Sequence, residues 1–182
     1  MKKNLSLYLY GSILIFVGIY LMLTKYGSFQ SPIKITIGVL LIIAAIVGFL
    51  AALTLLQKRV AFSYHIIHAL AMLVYGISVL IFVNTFETLK YFSWFLFLFY
   101  AFSEIIFCSL IFNLNKEVVF KIVFVRLVLG LMVGIFTIVI MNYRDLSDIF
   151  VLKSYGLIFV VIGVNILLYF PVMKPKELDE AL

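Results

Sequence analysis

Residues 35–56 read ITIGVLLIIAAIVGFLAALTLL and contain no charged residue over 22 positions. An α-helix needs about 20 consecutive apolar residues to cross the hydrocarbon core of a bilayer, so this stretch predicts a transmembrane helix. Five more stretches of similar character lie at residues 5–23, 60–83, 91–112, 118–141 and 150–172. The short polar connections between them make consecutive helices antiparallel neighbours. The sequence therefore predicts an all-α integral membrane protein of six transmembrane helices.

The composition excludes several other classes of protein. Hydrophobic residues make up 66% of the 182 residues and charged residues 12%, whereas soluble domains are about 45–50% apolar and about 25% charged. The net charge of +6 is scattered along the chain, so nucleic acid is not an expected partner. The single cysteine, Cys108, excludes an intramolecular disulfide and a cysteine-based metal site, and we expect it to be a small packing residue. No motif of a catalytic or cofactor site is present, so we expect neither an enzyme nor a bound cofactor.

The basic residues predict the orientation of the helices. Nine of the fourteen fall on the side that holds both termini and the second and fourth connections. Since basic residues accumulate in cytoplasmic loops, the chain is expected to lie in the bacterial inner membrane with both termini in the cytoplasm. The first helix has no small-residue cleavage site after it and is expected to remain as an uncleaved span. Residues 174–182 are expected to form a polar cytoplasmic tail.

The chain also repeats itself. Gly18, Gly76 and Gly134 recur at a spacing of 58 residues in the odd-numbered spans. Related runs begin at Gly38 and Gly156 in the even-numbered spans, 118 residues apart. We therefore predict three copies of one antiparallel hairpin, near residues 5–57, 58–115 and 116–173, arranged as a pseudo-threefold bundle within a single domain, 1–173. The glycines are predicted to mark contact faces, because small residues let membrane helices approach closely.

The second half of the chain carries a family resemblance. Residues 101–106 read AFSEII and are followed by the polar connection at 113–117, and residues 129–135 read LGLMVGI. This arrangement resembles the HdeD-like family, which is built from the short membrane repeat called DUF308. The resemblance implies six spans in repeated hairpins and a link to acid resistance and stress. It assigns no molecular activity.

Five polar side chains are predicted to lie at one level inside the bundle. His68, Glu104, Arg126 and Asn165 each stand nine residues from a polar connection, which is about 13 Å along a helix and therefore close to mid-membrane. The 58-residue spacing places Tyr10 at the same level. Polar groups at this depth usually face the bundle interior and pair with one another. This polar layer is the candidate site for a ligand or a proton.

Glu104 and Arg126 are the expected ion pair of the polar layer. Arginine keeps its proton and needs an anion, whereas an unpaired carboxylate at this depth would be neutralised by protonation. Consecutive antiparallel helices bring the two side chains together. His68 is then the member that can change its charge near neutral pH. In the alternative interpretation the layer is structural: the ion pair fixes the helix register, and His68, Asn165 and Tyr10 satisfy one another across helices.

The fourth span begins with a cluster of aromatic residues. Tyr91 and Trp94, with Tyr143 of the next span, fit the aromatic belt at a membrane surface. The phenylalanines at positions 92, 95, 97 and 99 are expected to face lipid. A groove for an acyl chain is the alternative for these side chains.

Two functions from different classes remain. The first is a small HdeD-like membrane protein that stabilises the membrane, or a membrane complex, under stress. The second is a proton-coupled transporter or channel for a small solute that uses the polar layer. Membrane lipids are expected partners of either, together with a second copy of the chain or the other subunits of a larger membrane complex. A continuous cavity reaching the polar layer would favour transport, and a dry, fully paired layer would favour the structural role.

Overall fold

The computed structural model describes residues 5–24, 31–54, 59–112, 117–143 and 146–168. Six α-helices account for nearly all of these residues: α1 (Leu5–Leu23), α2 (Ser31–Leu53), α3 (Arg59–Phe82), α4 (Phe86–Phe112), α5 (Glu117–Asn142) and α6 (Asp148–Leu168). All six are long and apolar enough to cross a membrane. The prediction of an all-α, multi-pass membrane protein is confirmed. The predicted tail at 174–182, both termini and the greater part of the connections lie outside the described residues.

Capping residues extend two helices beyond their apolar runs. Helix α4 begins at residue 86 rather than at the predicted 91, because Thr85 Oγ1 accepts a hydrogen bond from the backbone N–H of Thr88 at 3.2 Å. This bond satisfies one of the N–H groups that a helix leaves unpaired in its first turn. Glu87 adds a negative charge to the same turn, where the helix dipole stabilises it. Helix α6 begins in the same way, with the Phe150 N–H bonded to Ser147 Oγ at 3.3 Å.

The outer surface of the bundle is largely apolar. Large hydrophobic side chains point outward along every helix, among them Phe102, Ile106 and Met132, each at least 60% exposed. Such a surface suits contact with acyl chains rather than water. The buried positions include eight polar or charged side chains: His65, His68, Ser93, Glu104, Arg126, Thr137, Ser154 and Asn165.

Each helix packs most closely on one neighbour. Helix α1 packs on α6, α2 on α3, and α4 on α5, whereas the contacts between α1 and α2, α3 and α4, and α5 and α6 are less extensive. Because α1 and α6 are the first and last helices, their contact closes the sequence of helices into a ring. The seam between α3 and α4 is one of the less extensive helix contacts in this ring.

Glycines lie where the backbones of paired helices approach each other. A Cβ atom added to Gly163 of α6 would lie 2.6 Å from the carbonyl oxygen of Gly11 on α1. A Cβ atom added to Gly76 of α3 would lie 3.1 Å from the carbonyl oxygen of Gly38 on α2. Close approach of this kind is how small residues stabilise helix pairs in membranes. The predicted role of these glycines as contact faces is confirmed.

Phe97 corrects one expectation of the sequence analysis. The side chain was expected to face lipid, but it is fully buried. Its ring packs edge-on against Tyr155 and Phe159 of α6, with ring centroids 5.3 Å and 5.2 Å away. Phe95 and Phe99 point outward and are 65% and 41% exposed. Helix α4 is apolar on nearly every side, so its hydrophobicity does not reveal which face is turned inward.

We predict that Gly163→Ala destabilises the bundle by about 1–3 kcal/mol, the usual cost of overpacking. The added methyl group meets backbone on α1 at 2.6 Å, and backbone cannot move aside as a side chain can. The midpoint of thermal unfolding in detergent measures the effect. Gly134→Ala is the matched control, because its added Cβ meets only the Ala101 side chain, at 3.1 Å. An equal loss of stability in both variants would contradict the assigned role of the α1–α6 contact.

Candidate functional site

The centre of the site is a buried ion pair between α4 and α5. Arg126 donates from Nε to Glu104 Oε1 at 2.7 Å and from Nη2 to Glu104 Oε2 at 3.1 Å. Both side chains are fully buried. Two nearly parallel bonds of this kind join the planar guanidinium to the planar carboxylate in one fixed orientation. The ion pair predicted from the sequence is therefore present.

Tyr64 of α3 completes the pair and was missed by the sequence analysis. Its hydroxyl donates a hydrogen bond to Glu104 Oε2 and accepts one from Arg126 Nη2 at 2.9 Å. The Arg126 guanidinium carbon also lies 5.4 Å from the centroid of the Tyr64 ring and 5.0 Å from that of Phe107. These distances fall within the range of cation–π attraction. A signal was available, since Tyr64 precedes His68 by four residues and shares its helix face.

Gly130 on α5 makes room for the Glu104 side chain, and Cys108 on α4 contacts its carboxylate. A Cβ atom on Gly130, one turn after Arg126, would lie 2.9 Å from the Glu104 Cγ, so the Glu104 side chain occupies the space that this glycine leaves. Cys108, one turn after Glu104, donates its thiol to Glu104 Oε1 at 3.6 Å. The sequence analysis expected Cys108 only to fill space, and the structure adds this weak hydrogen bond.

His68 is bound to α4 rather than to the ion pair. Its Nε2 lies 2.6 Å from Ser103 Oγ, and Ser103 in turn donates to the carbonyl oxygen of Tyr100 at 2.9 Å. His68 Nδ1 has no hydrogen-bond partner among the described residues. The imidazole packs against the ring of Tyr64, with centroids 4.2 Å apart. Ser103 and the backbone of α4 therefore position the histidine beside the charged pair.

Asn165 links α6 to the same region. Its Nδ2 donates to the Tyr100 hydroxyl at 2.7 Å and lies 3.5 Å from the carbonyl oxygen of Arg126. Tyr10 is fully buried but stands apart, because its hydroxyl has no hydrogen-bond partner among the described residues. The expectation that His68, Asn165 and Tyr10 satisfy one another is wrong in detail. His68 is instead bonded to Ser103 on α4. Asn165 is bonded to Tyr100 on α4 and lies close to the Arg126 carbonyl oxygen on α5.

The site therefore consists of side chains from α3, α4, α5 and α6 around one bidentate ion pair. Among the described residues, no group of three or more His, Cys, Asp or Glu side chains is placed to hold a metal ion. The fold and the site together define a multi-pass membrane protein with a buried polar core. Comparison of the chain with known protein families, with curated proteins and with solved structures found no match.

We predict that Tyr64→Phe lowers the free energy of unfolding by about 1–3 kcal/mol, the cost of leaving a buried polar partner unsatisfied. The change removes one hydroxyl that serves both Glu104 and Arg126 and leaves the ring in place. Unfolding of the purified protein in an SDS titration measures the loss. Tyr91→Phe is the control, because the Tyr91 side chain is 56% exposed and its loss of a hydroxyl should leave stability nearly unchanged. Equal stability of the two variants would show that the Tyr64 hydroxyl is not needed.

Proposed function

We propose that this chain is a small integral membrane protein of the HdeD-like type that stabilises the membrane, or a membrane complex, under acid stress. The observation that carries the structural part is the closed ion pair of Glu104 and Arg126, whose side chains are both fully buried. Tyr64 supplies a third partner to both of them. The link to stress is supported by the resemblance of residues 101–106 and 129–135 to the family pattern.

A structural role explains the ion pair better than a transport role. A transport site must take up its proton or solute from water on one side of the membrane and release it on the other. Its polar groups therefore need contact with water and must be able to exchange their hydrogen-bond partners. Glu104 instead accepts bonds from Arg126, Tyr64 and Cys108 at once. Breaking such a buried pair leaves an uncompensated charge, which costs about 3–5 kcal/mol. The pair is suited to hold α3, α4 and α5 in register.

We extend the proposal to the architecture of three repeated hairpins around a pseudo-threefold axis. Three features support it. The residues at the 58-residue spacing, Tyr10, His68 and Arg126, are all buried. The closest helix pairs are α6 with α1, α2 with α3, and α4 with α5, so each odd-numbered helix packs on the even-numbered helix before it in the ring. Glycine or alanine lies at the contact in every pair.

The proposed location is the bacterial inner membrane, with both termini in the cytoplasm. Nine of the fourteen basic residues on the cytoplasmic side support this orientation. Membrane lipids are the proposed partners of the apolar outer surface. We also propose that it acts as a homo-oligomer or as a subunit of a larger membrane complex.

We predict that Glu104→Gln reduces the amount of folded protein and lowers its stability by about 3–5 kcal/mol, because Arg126 loses its counter-charge. Fluorescence-detected size-exclusion chromatography and SDS titration measure the two effects. The double variant Glu104→Leu with Arg126→Leu should recover part of the loss, because no buried charge remains. Glu87→Gln is the matched control, since the Glu87 side chain is 65% exposed and its ion pair is a surface one.

The same variants separate the structural proposal from proton-coupled transport. Proton flux is measured in liposomes that contain equal amounts of folded wild-type or variant protein. The structural proposal expects no flux above that of empty liposomes for any of them. A flux in the wild type that Glu104→Gln abolishes, with the variant folded as well as the wild type, would replace the structural role with transport.

The stress assignment has its own test in cells. We predict that a strain lacking this protein survives acid challenge less well, and that expression of the wild-type chain or of Glu87→Gln restores survival. Glu104→Gln should fail to restore it because too little folded protein accumulates. Colony counts after the challenge measure survival. Unchanged survival of the deletion strain would overturn the assignment to acid stress and leave the structural role of the ion pair untouched.

A further inference from the structure

A polar cavity lies at the end of the bundle where α4 begins and α5 ends. Its volume is about 380 Å³, within the range of about 300–1,000 Å³ that small-molecule sites occupy. Its lining is mostly polar and consists of Glu87, Lys90, Tyr91, Met141 and Tyr143. Two cavities along the α3–α4 seam have almost wholly apolar walls instead. The charged cavity is therefore the one whose lining says what kind of ligand it fits.

Local hydrogen bonds fix the backbone on both sides of this cavity. On α4, Thr85 caps the start of the helix, and the Tyr155 hydroxyl of α6 donates to the Lys90 carbonyl oxygen at 3.4 Å. On α5, the Tyr143 N–H donates to the Val139 carbonyl oxygen at 3.1 Å. This bond continues the helical turn beyond the last residue of α5. The cavity walls are therefore held by the fold of the bundle.

The cavity lies at the level of the lipid headgroups. Helix α4 has 27 residues and α5 has 26, so each is about 40 Å long. The hydrocarbon core of a bilayer is about 30 Å thick, and the bilayer with its headgroup regions is about 40–45 Å thick. The ends of both helices therefore reach the headgroup regions. Tyr91 and Tyr143 are both exposed, and tyrosine is typical of this level.

Lys90 and Glu87 place opposite charges side by side in the cavity wall. Lys90 Nζ lies 3.4 Å from Glu87 Oε1, and the two side chains are 14% and 65% exposed. The Lys90 ammonium has three N–H donors, and among the described residues only Glu87 accepts from it. A surface pair of this kind is weak, so both groups retain capacity to bind a ligand. An anion alone would be repelled by the carboxylate, and a cation alone by the ammonium.

We propose that this cavity binds the zwitterionic headgroup of a phospholipid of the phosphoethanolamine class. The phosphate accepts charge-assisted hydrogen bonds from Lys90, and the ammonium of the ligand donates to Glu87, so that the four charges alternate in sign. The hydroxyl oxygens of Tyr91 and Tyr143 can accept further bonds from the same ammonium. A choline headgroup has no N–H group to donate to these oxygens.

Apolar side chains beside the cavity favour a lipid over a soluble phosphate compound. Phe95 lies one turn after Tyr91 on α4, and Ile138 lies one turn before Met141 on α5; Phe95 and Ile138 are both exposed. They continue from the cavity toward the middle of the membrane, where the acyl chains of a bound phospholipid lie. The inference rests on the insertion of the bundle in a membrane and not on its proposed role under stress, so either can fail without the other.

Native mass spectrometry of the full chain in detergent tests the inference. The protein is titrated with three phospholipids that share palmitoyl and oleoyl chains and carry ethanolamine, choline or glycerol headgroups. We expect the ethanolamine lipid to bind about fivefold more tightly than either of the others, the usual effect of one hydrogen bond. Equal binding of the choline lipid, or tighter binding of the glycerol lipid, overturns the proposal. Displacement of the ethanolamine lipid by an equal concentration of glycerophosphoethanolamine also overturns it, because the ligand would then be soluble.

Two substitutions locate the binding at this cavity. Lys90→Gln should weaken binding of all three lipids about fivefold, because each of them carries the phosphate. Glu87→Gln should weaken only the ethanolamine lipid and bring it to the level of the choline lipid. Lys153→Gln and Asp148→Asn are the matched controls, because both residues lie near the start of α6, at the same end of the bundle and outside the cavity. Binding by Lys90→Gln equal to that by Lys153→Gln, or a headgroup preference that Glu87→Gln retains, would contradict the proposal.

Discussion

The cost of burying the Arg126 guanidinium constrains the rest of the bundle. Arginine does not give up its proton, so a fully buried Arg126 must find a carboxylate and further acceptors inside the protein. Glu104 on α4 and Tyr64 on α3 meet this requirement. These contacts fix how α3, α4 and α5 are rotated about their axes and how they are aligned along one another. Asn165 extends the same constraint to α6 through Tyr100.

Two different kinds of contact hold the helix pairs together. In the α1–α6 and α2–α3 pairs, glycines of one helix lie against glycines of the other. The two backbones can therefore approach closely, which increases the number of van der Waals contacts between them. The α4–α5 pair uses a glycine differently, because Gly130 leaves space for the Glu104 side chain. The α4–α5 pair gains specificity from its ion pair, because only one alignment joins the guanidinium to the carboxylate.

Length and hydropathy predicted the six helices, because the bilayer imposes a minimum apolar length on any span. The start of α4 was missed, since Thr85 caps that helix with a local hydrogen bond that hydropathy does not record. The Glu104–Arg126 pair followed from the high cost of either charge alone. Tyr64 was missed because a neutral tyrosine in an apolar run carries no comparable cost. Phe97 was wrongly predicted to face lipid, because α4 is apolar on nearly every side and its sequence does not distinguish the buried face from the lipid-facing one.

The polar groups of the site are arranged by what each costs near lipid. The charged pair is fully buried, with Tyr64 between it and the α3–α4 seam. His68 and Ser103 lie beside the seam, where their hydrogen bonds to each other and to the Tyr100 backbone offset the loss of water. Neutral polar groups cost far less than charges in hydrocarbon, so the partly buried Ser103 can lie near the outer surface of the bundle, whereas Glu104 and Arg126 require full burial and each other.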